Sequence, residues 1–350
     1  MKKVGKKRMK RKVKLLTALT IAGAIFLSFN CLSLFAAEKM IKIGITQIVD
    51  HPALNAVRDG FIDAMAEYGY IEDKNVSYDK QNAQGDITAA TTIAQKFVSE
   101  KVDLILSIAT PTSQAAVNAT TEIPIVFSAV TDPVGAGLVK NLDNSGNNVT
   151  GISDLTPVKK QFQLIKKMFP DAKNVGTIYN AAEANSVLTN ELAKQACKEL
   201  GLKLIEATVS TSADIFLSAQ SLVGRVDAVY ISTDNTVVSA LDAVVQVTNS
   251  NDIPLILADP TTIEKGALVS LGFNYYQHGR QTAPIVVKIL KGTKPSDIPV
   301  EFAKNVELWV NTKTAREIHT SIASLLNAVL AFAKDMEKAG GKVEIKFVGE

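Results

Sequence analysis

Short apolar runs alternate with helical patterns along most of this chain. Ile41–Thr46 reads as a buried strand, and Ala53–Tyr68 as a helix with Leu54, Val57, Phe61, Ile62 and Met65 on one face. Val76–Gln81 alternates like an exposed edge strand, and Ile87–Glu100 is helical again. Leu104–Ile108, Ile125–Ser128 and Val149–Ile152 read as further strands. The beat then restarts: helix Val158–Met168, strand Val175–Tyr179, helix Ser186–Leu200, strand Lys203–Ala207, and strands Ala228–Ser232 and Leu255–Ala258 with a helical segment between them. Strand and helix in alternation make a doubly wound α/β unit, so the pattern predicts two of them.

Two pairs of fragments repeat in the same order. Val102-Asp103-Leu104-Ile105-Leu106-Ser107 resembles Val226-Asp227-Ala228-Val229-Tyr230-Ile231-Ser232, and Ile123-Pro124-Ile125-Val126-Phe127 resembles Ile253-Pro254-Leu255-Ile256-Leu257. The expected architecture is α/β, two doubly wound Rossmann-like lobes joined by a hinge near Gly151–Pro157. After strand Val269–Phe273, helix Tyr276–Leu290 is expected to pack back on the first lobe, and Val306–Val310 with the helix after it to return to the second. The expected division is residues 38–152 with 276–301 for the first lobe, 153–275 with 302–320 for the second, and 321–350 as a peripheral C-terminal tail.

The first 37 residues change the reading of the charge. Nine basic side chains and no acid lie between Met1 and Lys14, an apolar stretch runs from Leu15 to Ala37, and small residues precede Glu38. This is the order of a secretory signal peptide over residues 1–37, cut after Ala36 or Ala37. An uncleaved membrane anchor is the alternative, since the stretch has the roughly 20 residues a span needs. Cys31 raises lipidation, but Asn30 before it fits that modification poorly. The whole chain carries +3, and losing the nine leader charges leaves −6. The basic balance therefore comes from the leader and does not point to nucleic acid. Cys197 would then be the lone cysteine, which excludes an intramolecular disulfide and leaves stability to the core, which the 47% hydrophobic content can supply.

Ligands of open α/β sheets bind beyond the carboxyl ends of the strands. The first half places Thr46, Asp50 and His51 there, then Thr110 and Thr112, then Ser128 and Thr131. Hydroxyls and free N–H groups at helix starts suit a carboxylate. The second half places Asn180, Glu183 and Asn185, then Asp234 and Asn235, then Asp259. Asp234 suits an ammonium group through a charge-assisted hydrogen bond. For each of these residues ordinary helix capping is the competing role. A zwitterion held between the two sets, with the lobes closing over it, is the expected arrangement.

Other chemistries lack their signatures. His51, His278 and His319 are far apart without metal-ligand spacing. There is no phosphate loop, no dinucleotide fingerprint and no nucleophile elbow, and the acids form no evident acid/base pair. The reading is of a non-enzymatic protein without a cofactor.

A resemblance gathers these loops. Gly44–Leu54, Ala109–Thr112, Phe127–Ala136, Asn148–Gly151, Tyr179-Asn180 with Glu183, Asn185 and Ser186, Ser232–Thr236, and Gly272–Tyr276 with Gly279, Arg280 and Gln281 together resemble the ABC-transporter substrate-binding family that includes TrpX-like proteins. The likeness runs from about Ile41 to Ala315, and many separated motifs keep their order. It implies a type I periplasmic-binding-protein architecture in an exported monomer that delivers a small ligand to an ABC permease in the membrane. Some members bind tryptophan, tyrosine or phenylalanine. It places a carboxylate near Thr110, Thr112, Ser128 and Thr131 and an ammonium near Asp234, with Asn180, Glu183, Asn185 and Asn235 shaping the second wall. Tyr179 and Phe273 are candidates to stack on an aromatic ligand, with core packing as their competing role. A membrane-anchored sensor ectodomain of the same fold is the alternative.

Overall fold

The computed structural model describes residues 40–349, so the expected signal peptide over residues 1–37 and Cys31 lie outside the described residues. The first half runs β1 (Ile41–Gln47), α1 (Pro52–Glu67), β2 (Val76–Asn82), α2 (Ile87–Ser99), β3 (Leu104–Ile108), α3 (Thr110–Ala119), β4 (Ile125–Val130) and β5 (Val149–Ser153). The second runs α4 (Val158–Met168), β6 (Asn174–Asn180), α5 (Ala184–Leu200), β7 (Lys203–Val209), α6 (Ile215–Gln220), β8 (Ala228–Ile231), α7 (Asn235–Ser239), α8 (Leu241–Asn249), β9 (Leu255–Leu257) and β10 (Val269–Phe273). The rest is α9 (Tyr275–Leu290), β11 (Glu301–Phe302), β12 (Val306–Asn311), α10 (Thr312–Glu317), α11 (Ile322–Lys338) and β13 (Val343–Val348).

Two sheets result, ordered β11-β5-β4-β3-β1-β2 and β13-β12-β10-β9-β8-β6-β7. Within each half the second strand lies at the edge, beside the first, and the third to fifth follow on the other side. The repeated fragments lead into the third and fourth strands of each sheet, so the similarity in sequence is a similarity of place. Pairing is parallel except between β10 and β12. Strand alternation sends side chains to both faces. Leu104, Leu106 and Ile108 join one core with Phe61, Met65 and Val286, while Ile105 joins another with Phe97 and Phe127. In the second sheet Tyr230 faces Phe162 and Leu271, and Val229 and Ile231 face Val244 and Ile215.

The chain crosses between sheets after β5, after β10 and between β11 and β12. Helix α9 follows β10 of the second sheet yet packs on α1 of the first lobe. The contact is close because two glycines permit it: a Cβ on Gly60 would sit 2.1 Å from the Tyr276 carbonyl oxygen, and one on Gly279 would sit 2.0 Å from that of Val57. The segment after Ser321, expected as a peripheral tail, lies in the second lobe. Leu325, Val329 and Phe332 of α11 enter its core, and β13 pairs with β12 along six residues. An amphipathic pattern says that one face is buried, not which surface buries it.

Candidate functional site

The carboxyl ends of both sheets meet across a cleft. Between them lies a small cavity of about 20 Å³, lined from the first lobe by His51, Ala53, Leu54, Ala129, Thr131, Asp154 and Tyr275. The second lobe lines it with Asn185, Thr233, Asp234, Asn235, Val238 and Asp259. A larger cavity of about 300 Å³ shares Asn235 as a wall. Its first-lobe side carries Ile48, Val49, Ile87 and Pro111, and its second-lobe side carries Asn180, Glu183 and Thr236.

The structure brings together Thr131, Asn185, Asp234, Asn235 and Asp259 from the sequence-predicted set, with Asn180 and Glu183 beside the larger cavity. The remaining predicted residues stand elsewhere. Thr46 and Thr110 are buried with hydroxyls that meet no protein partner, and neither lines the two cavities. Thr112 donates to the Ile108 carbonyl at 2.6 Å, and Ser128 shares a hydrogen bond with Thr282 at 2.9 Å. Asp50 is exposed and accepts from Asn55 at 2.6 Å. Tyr179 donates to Glu206, and Phe273 lines neither cavity.

Asp234 has both carboxylate oxygens engaged by backbone. One accepts from Val237 N–H at 2.8 Å and caps α7, and the other accepts from Asn180 N–H at 2.6 Å. Burial, reinforced by the charge of Glu183, pushes its pKa well above the usual carboxylate range. Glu183 is a clamp: Oε1 accepts from the Thr236 N–H and hydroxyl at 3.0 and 2.7 Å, and Oε2 accepts from the side-chain amides of Asn235 and Asn185 at 2.5 and 3.2 Å. With its amide held by Glu183, Asn235 lines the small cavity together with His51 of the first lobe. Burial lowers the His51 pKa to about 4, so this imidazole is neutral at ordinary pH.

Asp154 and Tyr275 also line the small cavity, and the sequence reading does not place them there. Asp154 follows β5 and accepts from the Tyr275 hydroxyl at 2.7 Å and from the Thr131 hydroxyl at 3.3 Å. Burial raises its pKa and also pushes the Tyr275 phenol up. The carboxyl-end rule points to Asp154, but in sequence the segment after β5 reads as hinge. Helix α1 starts at the same cavity with Pro52 at its first turn, no side-chain cap, and Ala53 and Leu54 on the wall. The first N–H groups of a helix have no intrahelical partner, so this end suits an anion. Nearby, Ala129 takes φ 55° and donates its N–H to His278 Nε2 at 3.0 Å.

Several buried polar atoms of the small cavity meet no protein partner: His51 Nδ1, Asn185 Oδ1, Thr233 Oγ1 and Asp259 Oδ2. Buried polar groups in proteins are nearly always hydrogen-bonded, and their convergence from both lobes marks a place built to receive a polar guest.

Two lobes with a polar cavity at their shared mouth define a bilobed periplasmic-binding-protein architecture. The chain belongs to the ABC transporter substrate-binding protein family, whose pattern matches residues 42–335. It is 40% identical over 282 residues to a tyrosine-binding protein of Clostridioides difficile, covering 81% of this chain and 82% of the relative. It superposes with a TM-score of 0.79 on the ABC domain in complex with L-Trp from Streptococcus pneumoniae, at 34% identity and covering 83% of this chain and 98% of that one. Against the ligand-free, open structure of a Clostridium difficile substrate-binding protein with adhesive properties the TM-score is 0.63, at 42% identity, over 81% and 96% of the two chains.

Proposed function

We propose that this protein is the extracytoplasmic receptor of an ABC importer and captures one aromatic amino acid between its lobes for a membrane permease. The observation that carries the reading is the set of buried, unpartnered polar atoms contributed by both lobes to one cavity. The named ligands of two relatives, tyrosine and L-Trp, support the amino-acid class. The uncapped start of α1 suits the ligand carboxylate, in place of the hydroxyls of Thr112 and Ser128, which are already bound within the protein. The larger cavity suits the ring, with the apolar side of Ile48, Val49, Ile87 and Pro111 against its face and Asn180 and Thr236 available to a ring hydroxyl.

The lobes stand closed. The likeness is greater to the L-Trp complex than to the ligand-free, open relative, although identity is higher to the latter. The small cavity of about 20 Å³ is too tight for a whole amino acid, and parting of the lobes about the hinge crossings would make room for one. A thermal-shift panel of the twenty amino acids, sugars, nucleosides and thiamine-like compounds tests the reading. Selective stabilisation by tyrosine, tryptophan or phenylalanine is the expected result, because a ligand that binds only the folded state raises its stability. Stabilisation confined to a sugar or nucleoside would discard the amino-acid class.

A further inference from the structure

The small cavity is unbalanced in charge. Asp154, Asp234 and Asp259 all reach it, and no Lys or Arg is among its lining residues. The three carboxylates differ in what already holds them. Asp234 is occupied by two backbone N–H groups of its own lobe. Asp154 accepts from two hydroxyls, Tyr275 and Thr131. Asp259 accepts at Oδ1 from Thr261 N–H at 2.8 Å, while Oδ2 is buried without a protein partner in a residue only 4% exposed.

Asp154 and Asp259 also lie on opposite sides of the cleft. Asp154 follows β5 of the first sheet and is bonded to Thr131 and to Tyr275, a residue of the first-lobe core. Asp259 follows β9 of the second sheet. Burial raises the pKa of both, and the charge of Asp154 adds to the rise at Asp259, which reaches about 6. The two groups therefore repel across the cleft at neutral pH when both are ionised. A cation between them reverses the sign of that interaction, from a force that parts the lobes to one that joins them.

We infer that Asp154 and Asp259 form the subsite for the primary ammonium group of the ligand, and that this cation is the electrostatic pin that holds the lobes shut. The inference deepens the amino-acid reading above and rests on it for the identity of the ammonium carrier. Geometry favours an ammonium group: it brings N–H donors to Asp259 Oδ2, which lacks one, and to the remaining lone pairs of Asp154. It also moves the cation role away from Asp234, whose oxygens serve the second lobe internally.

The test pairs charge-removing variants with a ligand lacking the charge. Calorimetry would compare L-tyrosine with 3-(4-hydroxyphenyl)propionate, its deaminated analogue, on the purified wild type, Asp259→Asn and Asp154→Asn, with circular-dichroism melts as the folding control. Wild type should prefer L-tyrosine by at least about tenfold, as expected for a lost charge-assisted hydrogen bond. Asp259→Asn should lose that preference by losing L-tyrosine affinity while keeping the analogue, and small-angle scattering should show compaction of wild type with L-tyrosine but not with the analogue. Folded variants that bind L-tyrosine within about twofold of wild type would overturn the inference, as would equal wild-type affinity for both compounds. Stabilisation by Ca²⁺ or Mg²⁺ that Asp259→Asn abolishes would replace the ammonium with a metal ion and so overturn it as well. Should no amino acid bind, the amino-acid reading fails by itself. Tyramine and putrescine then decide the subsite: binding that Asp259→Asn removes retains it, and no binding sinks it.

Discussion

The carboxylate of Asp234 accepts the backbone N–H of Asn180 at 2.6 Å, across 54 residues of chain. The same carboxylate caps α7 through Val237 N–H. It thus ties the end of β6 to the start of α7, and two loops of the cleft wall depend on one side chain. Asp234→Ala leaves both N–H groups without this acceptor. The expected loss of stability is about 2 kcal/mol, the sum of a cap and a buried hydrogen bond. Urea denaturation measures it, and an unchanged midpoint would contradict the tie.

Glu183, on the wall of the larger cavity, holds its neighbours in place. It holds the Asn235 amide and the Thr236 hydroxyl, and Asn235 lines the small cavity opposite His51 of the other lobe. Glu183→Gln keeps the shape but turns one acceptor into a donor facing donors. Ligand affinity should fall about tenfold, with a loss of stability of about 1–2 kcal/mol. Asn235→Ala in the Glu183→Gln background should then add little, since both changes disable the same contact. Full additivity in a double-mutant cycle would show that the two residues act separately.

The α1–α9 contact makes a purely steric prediction. Gly279→Ala places a methyl 2.0 Å from the Val57 carbonyl oxygen and 2.9 Å from the Phe61 nitrogen, both backbone atoms that cannot swing aside. The helices must separate, at a cost of about 1–3 kcal/mol. Tyr275, at the start of α9, should move with them, so ligand affinity should drop along with the melting temperature. A variant as stable as wild type would mean that the helices are not held at this distance.

His278 predicts a pH dependence. It is 2% exposed, its Nε2 accepts from Ala129 N–H, and burial lowers its pKa to about 4 from an ordinary 6.5. The folded state favours the neutral imidazole, so its contribution is present above pH 6.5 and is lost as pH falls toward 4. His278→Gln keeps an acceptor without the titration. The stability of wild type relative to this variant should be constant above pH 6.5 and shrink by up to about 3 kcal/mol on acidification to pH 4. A flat difference across that window would place the imidazole in contact with solvent.

Much of the fold was legible because strand alternation and helical periodicity are local. The two repeated fragments even marked equivalent strands of the two sheets. The segment after Ser321 was harder: its helix shows a buried face, but only the long-range pairing of β13 with β12 shows what covers it. The site was legible as a set of loops, not as roles. Asp234 on a post-strand loop reads equally as a cap or as a ligand contact, and the structure shows the cap together with a distant bond to Asn180 that no local pattern announces. Thr112 and Ser128 look available in sequence, yet each is bonded within the protein, to the Ile108 carbonyl and to Thr282. Asp154 was hidden by its place in the crossover, where a structural reading of the hinge sufficed.

Capture of an aromatic amino acid is read out by calorimetric titration of the purified protein with L-tyrosine, L-tryptophan and L-phenylalanine. Saturable binding of at least one of the three, with one ligand per chain, is the expected result. An absence of binding by all three, in a protein whose melting temperature rises with a ligand of another class, would contradict it.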